Sequence, residues 1–339
     1  MKKILFLVIF SIFVLNSFSQ KEFKIMCYNV ENLFDTKRDS LYNDTEYLPG
    51  GIRGWNYTRY KEKLSNIAKV IVAVGEWNPP ALVGLCEIEN ENTLNDLTRR
   101  TGLQQLNYKF IHYESPDARG VDVALLYLSD LFEPINSRPI RVSFPNSTST
   151  TRDILYTSGK ISNGDTLHIF VNHFPSRLGG ELESENRRIA AASFLRTAVD
   201  SVFEIHANAA IVIMGDFNDY PNDNSIVKTL KSSPLPDNFN EIEPQKLYNL
   251  AYKIHAEGKI GSYRHESQWG MLDQIIVSGV LLDNSLKTKV LSNTFQVFAP
   301  NWLLEEDKIV GLRPFRTYIG MRYNGGFSDH LPIFVKVNF

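Results

Sequence analysis

The 339-residue sequence has only two cysteines, Cys27 and Cys86, too few for a disulfide-stapled scaffold. Neither stands in a Cys/His group with the spacing of a structural zinc site. No charge of one sign predominates: 36 Lys and Arg face 38 Asp and Glu. No global positive field therefore draws the protein to nucleic acid or membranes, and any anion site must be local. Repeats and low-complexity linkers are missing, and no internal domain boundary stands out. What is present is an ordinary globular composition, 43% hydrophobic and 22% charged, with enough apolar material for one large core.

The apolar run from Ile4 to Leu15 is too short for the ~20 residues of a membrane span. With Lys2 and Lys3 before it and Asn16–Ser19 after it, residues 1–20 read as an export signal cut near Ser19 or Gln20. Residues 21–339 are then a single exported domain, periplasmic or extracellular, without a membrane anchor. The signal carries two Lys and no acid, so the mature charge is 34 minus 38, or −4. Export permits one disulfide, but two buried thiols are expected. If Asn29 and Glu87 share a site, alternation puts Cys27 on the face of Asn29 and Cys86 opposite Glu87.

Strands are expected at Phe23–Asn29, Ala81–Glu87, Val121–Leu128, Ile154–Ser158, Leu167–His173, Ala210–Asp216, Leu272–Ser278 and Leu331–Val337. Helices are expected at Arg59–Val74, with Leu64, Ile67, Ala68 and Ile71 on one face, and at Ser184–Phe203, with Ile189, Ala192, Leu195 and Val199. Some strands alternate in polarity and others are apolar throughout, as in sheets packed on one another and on outer helices.

Polar residues gather where these strands begin or end. Asn29 closes the first strand and Glu87 the second. Alone, each reads equally as a turn former or a solvated acid. Ile211–Asp219 carries more weight: an apolar strand runs out into Gly215, then Asp216 and Asn218, which alternation turns to one side, while Phe217 between them needs burial. His173 and Arg177 follow another strand; one suits protonation of a leaving group, the other phosphate binding. Asp273 and the Asp329-His330 pair open the last two. Adjacent side chains diverge in extended chain, so Asp329 is badly placed to orient His330, and Asp273 is expected to do so. Together these groups describe a hard-cation site with proton-transfer residues. Oxygen donors without clustered Cys or His favour Mg²⁺, Mn²⁺ or Ca²⁺, and the matching chemistry is attack of water on a phosphate ester.

In this order the residues resemble the endonuclease/exonuclease/phosphatase superfamily. Asn29 is similar to its first-strand Asn, Glu87 to its metal-binding Glu, His173 to its mid-chain His, Asp216 and Asn218 to its GDFN pair, Asp273 to its late acid, and Asp329-His330 to its terminal SDH. Gln274 departs from the aromatic residue that many relatives have after the late acid. The resemblance spans residues 23–339 and implies a four-layer αββα sandwich, two mixed, mainly antiparallel sheets flanked by helices, with the site at one end. It implies a divalent ion on Asn29, Glu87 and Asp329, and catalytic roles for His173, Asp216, Asn218, Asp273 and His330. The base is either His330 backed by Asp273, or Asp216 with His330 as a cation on the phosphate. Arg119, Arg177 and Arg188 are candidate phosphate contacts, the last beside a helix start.

The expected activity is a nuclease-like phosphodiesterase acting as a monomer; a phospholipid headgroup or a soluble phosphomonoester is the alternative substrate, and a binding protein without catalysis the reading from another class. DNA or RNA is suggested by a segment after Ser278 that holds Phe298, Trp302, Arg313, Phe315, Arg316, Tyr318, Arg322 and Tyr323. Such residues stack bases and grip phosphates, or simply pack on the sandwich.

Overall fold

Apolar alternation in the strands resolves into three cores in the computed structural model, which describes residues 21–144, 149–283 and 285–339. The expected export signal lies outside the described residues. The chain runs β1 (Glu22–Leu33), α1 (Tyr57–Gly75), β2 (Leu82–Ile88), α2 (Glu91–Arg99), β3 (Lys109–His112), β4 (Asp122–Tyr127), β5 (Phe132–Ile140), β6 (Ile154–Ile161), β7 (Thr166–His173), α3 (Glu181–Ile205) and β8 (Ala210–Asp216). It continues through β9 (Ser232–Ser233), β10 (Leu247–Asn249), α4 (Tyr252–Glu257), β11 (Tyr263–His265), β12 (Gln268–Gly270), β13 (Asp273–Ser278), β14 (Lys289–Val297), β15 (Leu304–Asp307), β16 (Gly311–Pro314), β17 (Tyr318–Ile319), β18 (Arg322–Tyr323) and β19 (Ile333–Asn338).

One sheet has the order β14-β19-β1-β2-β4-β3 and the other β5-β6-β7-β8-β13-β10-β9. Pairs β1/β2, β7/β8 and β9/β10 are parallel and the remaining pairs antiparallel, so both sheets are mixed. Ile25 and Cys27 from one sheet meet Ile169, Val171, Val212, Met214 and Ile275 from the other in the central core. The opposite faces carry the helices. Met26, Tyr28, Val83 and Leu85 pack under Ile67 and Ile71 of α1, while Phe170, Ile211 and Ile213 pack under Leu195 and Val199 of α3. This is the expected αββα sandwich. Gly84 lets the sheets close: a Cβ there would lie 2.8 Å from Met214 Sδ.

Helix α1 starts where Asn56 accepts bonds from the amides of Thr58 and Arg59, two residues before the start expected from periodicity. Strand β5 was not expected. Its run contains Pro134 and Pro139, which remove ladder donors, and it lies at a sheet edge, where that loss is tolerated. Among the described residues no helix is long and apolar enough to cross a membrane.

Candidate active site

Strand register assembles the site. His173 at the end of β7 pairs with Asp216 at the end of β8, which pairs with Asp273 at the start of β13, so one row of backbone holds three titratable groups. Their parity matches Val171, Met214 and Ile275, and they point between the sheets at one end of the central core. Gly215 has φ +152°, and a Cβ there would lie 1.8 Å from the carbonyl oxygen of Asn172, so only glycine permits this approach of β8 to β7.

From the facing sheet, Asn29 Nδ2 donates to Asp216 Oδ2 at 3.0 Å and lies 3.5 Å from Glu87 Oε1. Glu87 arrives by another route. Alternation would turn it to the α1 face, but its φ is +68° and the β2/β4 register shifts between Cys86 and Ile88, which swings the carboxylate into the site. This corrects the placing of the cysteines. Cys27 and Cys86 do not lie on opposite faces but share the central core. Both are buried free thiols, offset along parallel strands, because Cys27 pairs with Gly84 and Cys86 with Asn29.

His330 Nδ1 lies 2.6 Å from Asp273 Oδ2, the contact expected from alternation, and its Nε2 lies 3.8 Å from Asp216 Oδ2. His173 Nε2 lies 3.5 Å from Asp216 Oδ2 and 3.9 Å from Glu87 Oε1. Burial disfavours the His330 cation, but the carboxylates of Asp273, Asp216 and Asp329 outweigh it and hold the imidazole well above its usual range. For His173, burial followed by the charges of Arg152, Arg119 and His330 keeps the ring neutral. Burial pushes Asp216 up to about 6, against the pull of His330 and the donors Asn218 N and Asn29 Nδ2. Asn218 has φ +49° and donates its side-chain amide to the Phe174 carbonyl, while Phe217 between the two polar residues is buried against Phe174. Asp329 sits at a bend, so it does not diverge from His330 as extended chain would require; both line the cavity, and Asp329 Oδ2 accepts from Arg316 at 2.7 Å.

The arginines separate. Arg119 reaches the cavity with its side chain half exposed, and among the described residues its guanidinium is paired with Asp117 alone, at 3.4 Å. Arg177 lines the cavity, but its guanidinium bonds the Asn218 carbonyl and the carboxylates of Glu181 and Asp223 and lies over the Tyr220 ring. Arg188 does not fit the expected phosphate contact. It is fully buried, with Nε 2.5 Å from Asp219 Oδ1 and further bonds to Ser184 and the Glu181 carbonyl. The aromatic segment after Ser278 also resolves toward packing. Phe298, Trp302, Phe315, Tyr318 and Tyr323 join the α1-side core, Arg313 pairs with Glu305 and Asp307, and Arg316 with Asp329.

The donor set suits a hard cation. Glu87 and Asp329 open into the cavity; Glu87 accepts from Asn32 N at 2.8 Å and, at 3.5 Å, from Asn29 Nδ2, and Asp329 accepts from Arg316, which leaves oxygen lone pairs for a metal. The Asn29 side-chain oxygen accepts from Glu31 N at 3.0 Å and has a second lone pair. A separate trio, His112, Glu114 and Asp122, brings ligand atoms within 4.8 Å of one another outside this cavity.

The cavity measures about 790 Å³. Glu87, His173, Asp216 and His330 are among its lining residues, together with the 176–181 loop and the β11–β12 hairpin through Tyr263, His265 and Gln268. Sequence reasoning missed Arg152, Tyr220 and Tyr263. Arg152 is buried and links Asp117 to the carbonyl of Phe174, next to His173. It carries the signal used elsewhere, a polar cluster at a strand start, in Thr151-Arg152-Asp153 before β6. Tyr263 begins a three-residue strand too short to register as a pattern.

Three comparisons bear on the chain. A family model described as "Endonuclease/Exonuclease/phosphatase family" matches residues 24–338. No curated protein matches by sequence. Among solved structures, a Bacteroides thetaiotaomicron VPI-5482 mannosyl-6-phosphatase superposes with a TM-score of 0.57 at 15% identity, covering 94% of this chain and 100% of the other. The human Nocturnin catalytic domain gives 0.54 at 17% identity, covering 93% and 94%. A truncated Caenorhabditis elegans TDP2 gives 0.55 at 17% identity, covering 94% and 98%. At these identities the likeness is one of fold.

Proposed function

The chain belongs to the endonuclease/exonuclease/phosphatase family, and from that premise we propose that it is an exported phosphoric-ester hydrolase that works with a divalent cation, Mg²⁺ or Mn²⁺ being the natural choice. The observation that carries this reading is convergence: Asn29, Glu87, His173, Asp216, Asp273 and His330, separated by up to three hundred positions in sequence, meet at the end of the central core.

Glu87, with Asn29 and Asp329, is the cation's seat. When bound, the cation offsets charge on a nonbridging phosphate oxygen and acidifies water. The protein's own groups supply the rest. Asp273 orients the His330 ring through Nδ1 and turns Nε2 toward Asp216; the imidazole, favoured as its cation, and Asp216, pushed up to about 6, are the pair through which the attacking water's proton passes. Asp216 and Asn218 position that water or the phosphate. The neutral His173 imidazole stands beside Asp216 and Glu87, placed to hydrogen-bond the leaving oxygen. Arg119, the least committed guanidinium of the lining, meets the phosphate.

The lining supports a compact or chain-terminal ester over the interior of a duplex. Duplex binding rests on several phosphate contacts by Lys or Arg. Here the lining has two arginines, one already saturated by carboxylates, beside the acids Glu87, Glu181, Asp216 and Asp329. A neighbour named as a mannosyl-6-phosphatase adds sugar phosphates to the substrates worth testing.

The test is a panel of a hexose 6-phosphate, a nucleoside monophosphate, p-nitrophenyl phosphate, bis-p-nitrophenyl phosphate, sphingomyelin vesicles and covalently closed plasmid, each with Mg²⁺ or chelator. A compact ester is expected to turn over only with Mg²⁺ and to lose turnover in Glu87→Ala. Full activity in chelator removes the cation from the mechanism. Plasmid nicked faster than any compact ester restores the nuclease reading.

A further inference from the structure

The pair His330–Asp273 is held by a third party. The dipeptide Ser262-Tyr263, at the foot of the β11–β12 hairpin, touches both members. Ser262 Oγ accepts from Asp273 N at 3.0 Å, and the Ser262 carbonyl accepts from Leu331 N at 2.7 Å, next to His330. Tyr263 forms an isolated antiparallel bridge with His330, and its ring lies against the imidazole, centroids 4.9 Å apart at 38°. Ser262 is completely buried. Asp273 is equally buried, and its Oδ1 has no partner among the described residues, so the carboxylate is fixed by its bond to His330 and by the backbone that Ser262 pins.

We propose that Tyr263 is a positioning residue for the His330–Asp273 pair, acting through its ring plane and not through its hydroxyl. The imidazole has one hydrogen bond, at Nδ1, which restrains translation better than rotation about the side-chain torsion; the Tyr263 ring, tilted 38° to it at 4.9 Å, limits that rotation. The same hairpin lines the cavity with His265 and Gln268, and Arg264 fastens it by lying over Trp269 and donating to the Val310 carbonyl. Contact between an ester's alcohol part and the hairpin is thereby transmitted to the groups that move the proton. The catalytic part of this inference rests on the hydrolase reading above; the positioning part does not.

The test uses the full exported chain with Tyr263→Phe, Tyr263→Leu, Tyr263→Ala and Ser262→Ala, each checked for a wild-type-like thermal midpoint. The first readout needs no substrate: the low-field proton resonance of the Nδ1–H bond, identified by its loss or upfield shift in Asp273→Asn. It should persist in Tyr263→Phe and broaden or vanish in Tyr263→Ala. The second is the split between kcat and KM on the best compact ester with Mg²⁺. Tyr263→Phe should stay within about twofold of wild type, whereas Tyr263→Ala should lose roughly tenfold to a hundredfold in kcat with KM nearly unchanged, the scale set by small misplacements of reacting groups. Should Tyr263→Ala not fold, Tyr263→Leu keeps the bulk without the plane and carries the same expectation, and Ser262→Ala should lower kcat in the same sense. Retention of both resonance and kcat in the folded Ala or Leu variant overturns the proposal. So does an equal loss in Tyr263→Phe, which would transfer the role to the hydroxyl. A wild-type protein that shows the resonance and loses it in Tyr263→Ala, yet hydrolyses no ester, would sink the hydrolase reading and leave the positioning claim standing.

Discussion

Replacing Asp273 with Asn isolates what the carboxylate does, because the change is nearly isosteric at a position without solvent access. Two orientations are open to the new amide, and both cost. With its oxygen toward His330 Nδ1, the former 2.6 Å contact survives as a weaker bond, but the NH₂ takes the place of an oxygen that already has no protein partner. A buried donor without an acceptor costs about 1–3 kcal/mol. With the NH₂ toward Nδ1, the imidazole must accept there and carry its proton on Nε2, the nitrogen that faces Asp216 at 3.8 Å. That tautomer cannot take a proton from water. Either way the charge that outweighs burial and favours the His330 cation is gone. General acid–base catalysis is worth about 10²–10⁴-fold, so kcat should fall by that factor, a barrier increase of roughly 3–5 kcal/mol. Steady-state kinetics at saturating Mg²⁺ measures it. The double variant with His330→Ala should be hardly slower than either single one, since the two act as a unit. An Asp273→Asn enzyme within about threefold of wild type would refute the pairing as a proton device.

Three further outcomes follow from the same contacts. Arg119→Ala should cost about tenfold or more in kcat/KM without loss of fold, whereas Arg188→Ala should destabilise the protein by about 3 kcal/mol in urea unfolding, because it removes the nearest cation of the buried Asp219 carboxylate and leaves it the longer contact to Arg177. His168, buried beside Tyr156 with His206 nearby, has its pKa lowered to about 4 by burial and by the second imidazole. Its folded value lies below the unfolded one, so the stability it contributes is complete above pH 6.5 and is lost as pH falls toward 4, with a ceiling of about 3 kcal/mol. Unfolding free energies from pH 7 to pH 4 should therefore flatten in His168→Gln, and an unchanged acid slope would discount the group. Gly215→Ala should fold poorly or not at all, since its Cβ meets the Asn172 backbone; a wild-type midpoint there would contradict the register of β7 and β8.

Much of the scaffold was legible because burial on both faces of a strand leaves a clear apolar run. The stretch Ala210–Asp216 matches its observed bounds, and Leu167–His173 differs from Thr166–His173 by one residue. Residues carried on those strands were legible for the same reason. Period-two alternation is rigid, so the direction of Asp216 follows from Met214, and that of His173 from Val171. Reading failed where the backbone left the strand region. Glu87 reaches the site because a left-handed residue breaks the alternation, and that one departure also undid the argument that separated Cys27 from Cys86. For Asp329 the extended-chain assumption was wrong, since it sits at a bend, but its consequence held: Asp273 and not Asp329 meets His330, and Asp329 lines the cavity.

Arg188 was misread for a different reason, one that sequence position cannot supply. A backbone direction says where a short side chain ends, but a guanidinium on a flexible stem goes to whichever carboxylate it can reach and shares burial with. Arg177 and Arg188 both lie within reach of the same buried acid, Asp219, at 3.4 Å and 2.5 Å, and α3 brings the second of them under the surface. Arg119 shares a carboxylate as well, but the acid is divided: Asp117 Oδ2 takes the buried Arg152 at 3.0 Å, while Oδ1, which already accepts from the Arg119 backbone amide at 3.0 Å, meets the Arg119 side chain at 3.4 Å and leaves it half exposed. One acid divided between two arginines thus buries Arg152 and leaves Arg119 the less committed cation at the cavity. It follows that Asp117→Ala, though its carboxylate never faces the substrate, should weaken kcat/KM toward the Arg119→Ala level by releasing both partners. A variant as active as wild type would show that Arg119 needs no such restraint.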